Sequence, residues 1–372
     1  MSFSISWKQC VGLHAFEALY LGVLAVLPFV FTQRLVGQIL LIVTGTTILY
    51  FLAKMYMTKK IHVKHQGVLI TGCDTGFGRG LAMRLDSLGF TVFAGVLNPT
   101  EEGADILKSS STGQLHVLKL DVTKEEDIKN ALLYVEKHSA SKGLWCLVNN
   151  AALNFVGDVE FCTMDMYRRV LEVNLLGMIQ VTKTFLPLLR KSKGRVVNVT
   201  SAKGKLSLPS CSVYGITKYG GETFSDCLRL EMRKFGVKVV IIEPGNFGGA
   251  TGMLSSKTLS WLRNMFDEMW EKSSDDVKET YGKDYLEALY NGTVHSASNS
   301  AKTIGNVIDA MEDAITNESP QIRYLVNGSK KLIDYNNFLI KIRPFIPDCF
   351  LDYLLDKEYN SGLPPVQANH VS

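Results

Sequence analysis

The hydrophobic positions divide the chain at about residue 64. Before that point lie two uncharged, mostly apolar runs, residues 18–33 and 35–53. The second has nineteen positions, which is enough for a helix that crosses a bilayer, whereas the first is just short of that length. We therefore predict a membrane anchor over residues 1–64, made of one or two hydrophobic helices, and a separate domain from residue 65.

The residues that flank the second run indicate an orientation. Four lysines follow it closely: Lys54, Lys59, Lys60 and Lys64. Cytoplasmic flanks of membrane helices carry an excess of such charges, so we expect the domain to face the cytosol, in the endoplasmic reticulum or alternatively in a mitochondrial membrane. A cleaved signal peptide is the competing interpretation, but there are two runs and no small-residue cleavage site. Glycosylation sequons, which matter only in a lumen, begin at Asn291, Asn317 and Asn327.

From residue 65 onward the pattern is that of a parallel sheet covered by helices on both faces. Amphipathic helical patterns separate short apolar runs of strand length. The predicted strands cover residues 67–71, 90–97, 115–120, 145–149, 195–199 and 237–242. Residues 252–290 break this rhythm, with Trp261, Phe266 and Trp270 among many charges, and predict an inserted helical lid. Residues 361–372 are predicted to be a disordered tail.

Composition excludes several kinds of site. The seven cysteines are scattered and never form a C-x-x-C pair, which argues against a zinc site or a disulfide framework. We predict no metal. A net charge of +4 over 372 residues, with cations interspersed among carboxylates, gives no indication of nucleic-acid binding.

A glycine pattern follows the first predicted strand and opens a helix. It reads Thr71-Gly72-Cys73-Asp74-Thr75-Gly76-Phe77-Gly78. Glycines at these positions let the backbone turn tightly and approach a pyrophosphate, and the helix N-terminus then faces that anion. We predict a dinucleotide-binding loop with contacts from Gly72, Gly76, Phe77 and Gly78, and hence an α/β fold with a Rossmann-type doubly wound parallel sheet.

The end of the second predicted strand bears on which dinucleotide binds. An acid there normally indicates a ribose 2′-hydroxyl and an arginine a 2′-phosphate, but Gly95-Val96-Leu97-Asn98 offers neither. Because no cation is placed to neutralise a phosphate, we predict NAD, while Arg79 keeps NADP open. Asp121 and Val122 follow the third strand and are placed to touch the adenine; a plain helix N-cap is the equal alternative for Asp121.

Tyr214 and Lys218 lie four residues apart and therefore on one helix face. A free phenol has a pKa near ~10, too high for a base near neutrality, and a nearby ammonium would favour the phenolate. A tyrosine and a lysine at this spacing often occur by chance, so the prediction depends on the other polar residues expected nearby. Ser201 follows a predicted strand thirteen residues earlier, and Asn174 lies in a helix that would pack alongside. Together they predict a proton-transfer site.

The ordered set of motifs resembles the short-chain dehydrogenase/reductase family. Its members carry the glycine loop, an Asn-Asn-Ala-Gly segment (here residues 149–152), and catalytic Asn, Ser and Tyr-x-x-x-Lys residues in this order. The resemblance covers residues 65–250 and extends weakly to about 360, which we take as the catalytic domain, 65–360. Residues 89–98 and 185–195 resemble the branch that contains 17β-hydroxysteroid dehydrogenase type 2, the retinol dehydrogenases and 3-hydroxybutyrate dehydrogenase.

The resemblance implies a role for each matching residue. Tyr214 would be the general acid/base, and Lys218 would lower its pKa and bind the nicotinamide ribose. Ser201 would orient the substrate oxygen, and Asn174 would hold a water in a proton relay. Asn150 would contact the cofactor.

Two positions depart from the family pattern. Ala152 replaces a glycine, so an extra methyl must fit close to the cofactor. Gly249 replaces a threonine, and Thr251 would substitute for it in holding the carboxamide of the cofactor. Neither departure touches the proton-transfer residues.

An anchor beside an aromatic-rich lid favours a substrate that partitions into membranes. The leading prediction is a lipophilic alcohol or ketone, a steroid or a retinoid; that the lid aromatics are simply core residues is an equal alternative. A small hydroxy acid such as 3-hydroxybutyrate is the second candidate and would need a basic residue in the pocket. A non-catalytic, membrane-tethered binding protein of the same fold is a third. A homodimer stays open.

Overall fold

The computed structural model describes residues 7–57, 59–63, 66–139, 143–252, 254–330 and 334–366. The chain divides into two compact units, Met1–Lys59 and Lys60–Ser372. The first unit contains one helix, α1, and the second contains a sheet with its covering helices.

Helix α1 spans Trp7–Met57. Its segment Ala18–Ala53 has a mean hydropathy of 2.0, and none of it is buried inside the protein. At about 1.5 Å per residue, these 36 residues exceed the roughly 30 Å hydrocarbon core of a bilayer. Both apolar runs of the sequence thus lie in one helix that is long and apolar enough to cross a membrane.

Seven parallel strands form one sheet, in the order β3-β2-β1-β4-β5-β6-β7. The strands are β1 Gly67–Ile70, β2 Thr91–Val96, β3 Leu115–Lys119, β4 Cys146–Asn149, β5 Arg195–Val199, β6 Lys238–Pro244 and β7 Arg323–Val326. The α/β prediction is confirmed, and each of the six predicted strands lies within two residues of its expected bounds. Strand β7 was not predicted.

Alternate strand residues pack into two separate hydrophobic cores, one on each face of the sheet, as a doubly wound sheet requires. Val68 and Ile70 of β1 pack on one face, whereas Leu69 packs on the other. The helices that cover the two faces of the sheet are α2 Gly76–Ser87, α3 Glu102–Ser109, α4 Glu125–His138, α5 Met164–Leu171, α6 Met178–Ser192, α7 Ser212–Met232 and α11 Gly305–Thr316. The strand order reverses between β1 and β4, which places the ligand crevice at the carboxyl ends of these strands.

The predicted lid consists of three helices inserted between β6 and α11. They are α8 Ser256–Lys272, α9 Asp275–Tyr281 and α10 Lys283–Ser298. Two further helices, α12 Tyr335–Ile342 and α13 Asp348–Tyr359, follow β7. Of the predicted tail, residues 367–372 lie outside the described residues, while Leu363 packs against the apolar cluster of the lid.

The sheet domain begins before the predicted boundary at residue 65. The Ile61 amide donates to the Thr316 carbonyl at 2.7 Å, and Lys60 forms an ion pair with Glu312 at 2.7 Å. One of the four lysines expected to mark the membrane flank is therefore paired on the surface of the folded domain.

Candidate active site

The glycine loop after β1 has the shape that its sequence predicts. Gly72 and Gly76 have φ values of +70° and +57°, in the left-handed region that favours glycine. A Cβ on Gly78 would lie 2.2 Å from the Gly72 carbonyl oxygen, so no larger residue fits without moving the loop. Glycine is thus required for the tight packing of this loop, and a tight glycine loop before a helix N-terminus fits a bound pyrophosphate.

Asn150, at the end of β4, holds this loop in place. Its amide nitrogen donates to the carbonyls of Thr71 at 2.9 Å and Gly72 at 3.0 Å. In return, the Thr71 hydroxyl accepts from the backbone amides of Asn150 and Ala151, both at 3.0 Å. Both side-chain N–H groups of Asn150 bind loop carbonyls, so this residue stabilises the conformation of the loop.

An acid that the sequence pattern did not indicate lies at the end of β2. Both oxygens of Asp74 accept from the Leu97 amide, at 3.0 and 3.2 Å. The sequence pattern places such an acid directly after β2, whereas Asp74 comes from the glycine loop after β1. Because β1 and β2 are adjacent and parallel, their carboxyl ends meet, and the fold brings the loop carboxylate to the expected place.

Asp121 closes a turn after β3. Its carboxylate accepts from the amide of Thr123 at 2.9 Å and from its hydroxyl at 2.7 Å. The residue at the N-cap of α4 is Lys124, so the N-cap alternative for Asp121 is wrong. Val122 is buried against Gly177, whose added Cβ would approach it to 2.7 Å.

Helix α7 brings the predicted proton-transfer residues together. Lys218 lies one turn after Tyr214, with its Nζ 5.3 Å from the centre of the Tyr214 ring. This ammonium is 4% exposed and donates to the Val199 carbonyl at 3.0 Å. The Ser201 hydroxyl donates to the Pro244 carbonyl at 3.3 Å and lies close enough to the Tyr214 phenol to lower its pKa. Three of the four predicted side chains therefore share one small site at the end of β5.

Burial dominates the electrostatics of this site. It raises the pKa of Tyr214, while the neighbouring Ser201 hydroxyl lowers it and the Cys211 thiol raises it further. Burial also lowers the pKa of Lys218 to about 8, an effect that the charge of Glu222 opposes. The protein's own groups thus keep Tyr214 protonated near neutral pH, and Lys218 is mostly cationic there.

Asn174 lies in a π-helical turn, Glu172–Gly177, that joins α5 to α6. Turns of this kind are frequent at functional sites. The side chain is 3% exposed and pairs with the backbone of Leu153, accepting at 2.7 Å and donating at 2.9 Å. Its second N–H reaches the Thr217 hydroxyl at 3.1 Å. Asn174 thus fastens the loop after β4 to the catalytic helix, and both its N–H groups are used.

Comparison with known proteins decides the family. The short chain dehydrogenase family model matches residues 66–260. The chain is 41% identical to rat mitochondrial D-beta-hydroxybutyrate dehydrogenase over 276 residues, which cover 73% of this chain and 79% of that protein. It is 39% identical to human 17-beta-hydroxysteroid dehydrogenase type 6 over 86% of this chain and 96% of the relative, and 40% identical to mouse retinol dehydrogenase 16 over the same shares.

This chain belongs to the short-chain dehydrogenase family. It is therefore an oxidoreductase that uses NAD or NADP. The fold agrees: a short-chain dehydrogenase from Streptomyces avermitilis superposes with a TM-score of 0.60 at 24% identity, covering 81% of this chain and 98% of that one.

The two departures from the dehydrogenase pattern have local explanations. A Cβ on Gly249 would lie 2.9 Å from the Ala297 carbonyl of the lid, so a threonine does not fit there without a shift. Thr251 lies beside the glycine loop, since a Cβ on Gly76 would contact it at 3.4 Å. The Ala152 side chain is exposed, so the protein itself leaves room for its methyl.

The lid of the dehydrogenase covers Tyr214 with apolar side chains. Phe155 and Val213 from the sheet domain form one buried cluster with Phe266 and Met269 of α8, and Tyr214 packs at its edge. Phe266 is 2% exposed and is a core residue of this cluster, as the alternative for the lid aromatics expected. Trp261 and Trp270 are only partly buried in the same cluster.

A carboxylate that sequence reasoning missed ties this lid to the catalytic segment. Asp158 accepts from the Ser210 hydroxyl at 2.5 Å and from the Tyr285 phenol of α10 at 2.7 Å. Ser210, four residues before Tyr214, has a φ of +59°, which is unusual for a side-chain-bearing residue. No motif marks Asp158, because its two partners come from distant parts of the chain.

Within the described ranges, no group of three His, Cys, Asp or Glu side chains could hold a metal ion.

Proposed function

We propose that this dehydrogenase uses NAD to interconvert a lipophilic alcohol and its ketone or aldehyde, with Tyr214 as the acid/base. The proposal rests on the surroundings of Tyr214, which are polar on one side and apolar on the other. Ser201 and Lys218 meet it on the polar side, and the buried apolar cluster of the lid meets it on the other. Such a site suits a substrate with one reactive oxygen on an apolar body.

The residues divide the proton chemistry among themselves. The Tyr214 oxygen takes the proton from the substrate hydroxyl during oxidation and returns it during reduction, as a general base and acid. Ser201 donates to the substrate oxygen and fixes its position. Lys218 has one N–H on the Val199 carbonyl and further donors for ribose hydroxyls. Asn174 keeps the loop after β4 in register with α7.

The nicotinamide cofactor supplies the hydride acceptor, and the glycine loop is its binding element. Gly72, Gly76, Phe77 and Gly78 shape the phosphate contact, Asn150 supports it, and Asp121, Val122 and Thr251 line the rest of the crevice. NAD rather than NADP is supported by Asp74. A carboxylate hydrogen-bonded at the end of β2 can accept from ribose hydroxyls, but it repels a 2′-phosphate.

The substrate class is supported by the lid and by the relatives. The cluster beside Tyr214 is built from phenylalanine, methionine, leucine, valine and tyrosine side chains. Apolar surface of a steroid or retinoid that is removed from water against this cluster stabilises the bound substrate by about 25 cal/mol per Å². Relatives named for 17β-hydroxysteroids and retinol match over 86% of the chain.

A 3-hydroxybutyrate-type hydroxy acid is the second candidate. The rat enzyme named for that substrate is 41% identical over 73% of the chain. A non-catalytic binding protein is the weakest candidate, since the site has a tyrosine, a lysine and a serine in mutual reach.

Helix α1 supports attachment to a bilayer, with the sheet domain on the cytosolic face of the endoplasmic reticulum or of a mitochondrial membrane. The sequon that begins at Asn317 is poorly accessible for glycosylation, because the Asn317 side chain is 5% exposed and its amide donates a hydrogen bond to Asp313. Glycans at Asn291 on purified protein would reverse the proposed orientation.

The decisive experiment is an activity screen of the full chain in detergent, with NAD and NADP against retinol, a 17β-hydroxysteroid and 3-hydroxybutyrate. Formation of the reduced cofactor is followed by absorbance. We expect turnover with NAD on retinol or the steroid. Turnover on 3-hydroxybutyrate alone would move the assignment to the hydroxy acid, and no turnover on any of the three would overturn the proposed function.

A further inference from the structure

A second lysine approaches Tyr214. Lys203 lies two residues after Ser201, in the short 3₁₀ turn Ala202–Gly204, and its amide donates to the Ser201 hydroxyl at 3.2 Å. Its Nζ is 5.8 Å from the centre of the Tyr214 ring, nearly as close as the 5.3 Å of Lys218. The phenol thus has two ammonium groups within about 6 Å of its ring.

The two lysines differ in their other contacts. Lys218 is buried and donates to the Val199 carbonyl. Lys203 is partly exposed, and nowhere in the described ranges does its ammonium form an ion pair or a hydrogen bond. Within the described ranges no carboxylate pairs with Lys203, so its charge at Tyr214 is weakened only by the solvent around this partly exposed side chain.

The other groups around Tyr214 do not supply such a charge. Ser201 is a neutral donor from the end of β5, and the Cys211 thiol, just before α7, disfavours ionisation of the phenol. In the cluster beside Tyr214, burial or carboxylate neighbours raise the pKa of Cys162, which precedes α5, and of Tyr281 and Tyr285 on the lid, so these three stay neutral. The other titratable members of the cluster are the phenols Tyr167 and Tyr290, which carry no positive charge. The positive charges at this phenol therefore come from Lys203 and Lys218.

We propose that Lys203 is a positioning residue that stabilises the Tyr214 phenolate, sharing with Lys218 the work of making this tyrosine a base. The inference rests on the proposed function, because it requires Tyr214 to accept the substrate proton. Burial opposes ionisation of Tyr214, and a second cation offsets that opposition. Lys203 Nζ lies 5.8 Å from the centre of the ring. One unit charge at a distance of that order, in the intermediate dielectric of a partly exposed site, moves a pKa by about one unit.

The test is the pH profile of kcat/KM for oxidation, measured with NAD and whichever of retinol, the 17β-hydroxysteroid and 3-hydroxybutyrate turns over. The rate rises with pH as Tyr214 loses its proton. In Lys203→Met the rising limb should move to higher pH by about one unit, so that activity below the limb falls roughly tenfold. Lys203→Arg keeps the charge and should keep the limb near its original place.

A matched control lies two residues away. Lys205 is in the same segment, but its charge acts on Glu243, so Lys205→Met should leave the limb in place. Ultraviolet difference titration of the NAD complex, taken against Tyr214→Phe, reports the phenolate directly and should show the same shift in Lys203→Met.

Three results would overturn the inference. The first is an unmoved limb in Lys203→Met with a lower plateau, which indicates a merely structural role. The second is a higher KM for 3-hydroxybutyrate with an unmoved limb, which makes Lys203 an anion contact. The third is an equal shift in Lys205→Met. In all three, Tyr214→Phe still abolishes turnover, so the proposed function survives. A Tyr214→Phe variant that stays active overturns the proposed function itself.

Discussion

The glycine loop, residues 71–78, and the lid, helices α8 to α10, obtain their shapes in different ways. The loop is fixed by backbone: positive φ values, a close approach of Gly78 to the Gly72 carbonyl, and hydrogen bonds from Asn150. The lid is fixed by interlocking apolar side chains around Phe266, together with the Asp158 contact to Tyr285. One element tolerates almost no added atom, whereas the other tolerates many exchanges of similar volume.

This difference explains what each element does. A loop made of backbone presents the same N–H groups to any dinucleotide, so it suits a cofactor that never changes. A lid made of side chains takes its specificity from their sizes, so it suits a substrate that differs between relatives. Three relatives of this chain bear names that refer to a hydroxy acid, a steroid and a retinoid.

The rigidity of the loop can be tested by adding one methyl group to it. In Gly78→Ala the new Cβ would meet a backbone carbonyl at 2.2 Å, so the loop must deform. We expect NAD affinity to fall roughly 100-fold, or about 2.8 kcal/mol, when measured by calorimetric titration. The control is Gly292→Ala in α10, where a Cβ meets nothing within 4 Å. NAD affinity that stays unchanged in Gly78→Ala would show that the loop is not rigid.

Truncating the lid core should weaken binding of the alcohol and leave binding of NAD unchanged, the opposite of the change in the loop. Phe266→Ala removes a buried ring and is expected to weaken the packing of the lid by about 3–5 kcal/mol. We expect KM for the lipophilic alcohol to rise roughly tenfold while the NAD dissociation constant stays within about twofold, measured by steady-state kinetics and titration. Lys272→Ala, an exposed change on the same helix, is the control. An equal loss of NAD affinity would contradict the separation of the two elements.

An effect of the same size as that of the lid truncation is expected at Asp74, the residue of the loop that bears on the choice between NAD and NADP. Asp74→Ser removes a negative charge from the end of β2, so the NADP dissociation constant should fall by about tenfold. Glu101→Gln is the control, since that nearby carboxylate is exposed and pairs with Lys257 at 3.0 Å. If NADP affinity does not change, Asp74 does not select the cofactor.

The sequence predicted the loop and the proton-transfer residues because each carries a local constraint. Gly78 has no substitute at its position, and Tyr214 and Lys218 are brought together by helical spacing alone. The sheet followed from apolar runs whose residues alternate between two cores. All of these features depend on residues near one another in the chain.

What the sequence did not predict depends on contacts between distant segments. Asp74 was missed because the acid at the end of β2 comes from a different loop. Asp158 was missed because its partners, Ser210 and Tyr285, lie 52 and 127 residues away. Strand β7 was missed because its four residues sit in a short run between polar turns. The approach of Lys203 to Tyr214 likewise required the fold.

The proposed role of Tyr214 as the acid/base of this site is tested by removing its hydroxyl alone. Tyr214→Phe keeps the ring and its packing in the lid cluster but removes the hydroxyl. Turnover of the alcohol with NAD should fall by about a thousandfold, while the dissociation constant for NAD, measured by titration of the same preparation, should stay within about twofold. A variant that keeps its turnover, or that loses turnover only because it no longer binds NAD, would contradict the account.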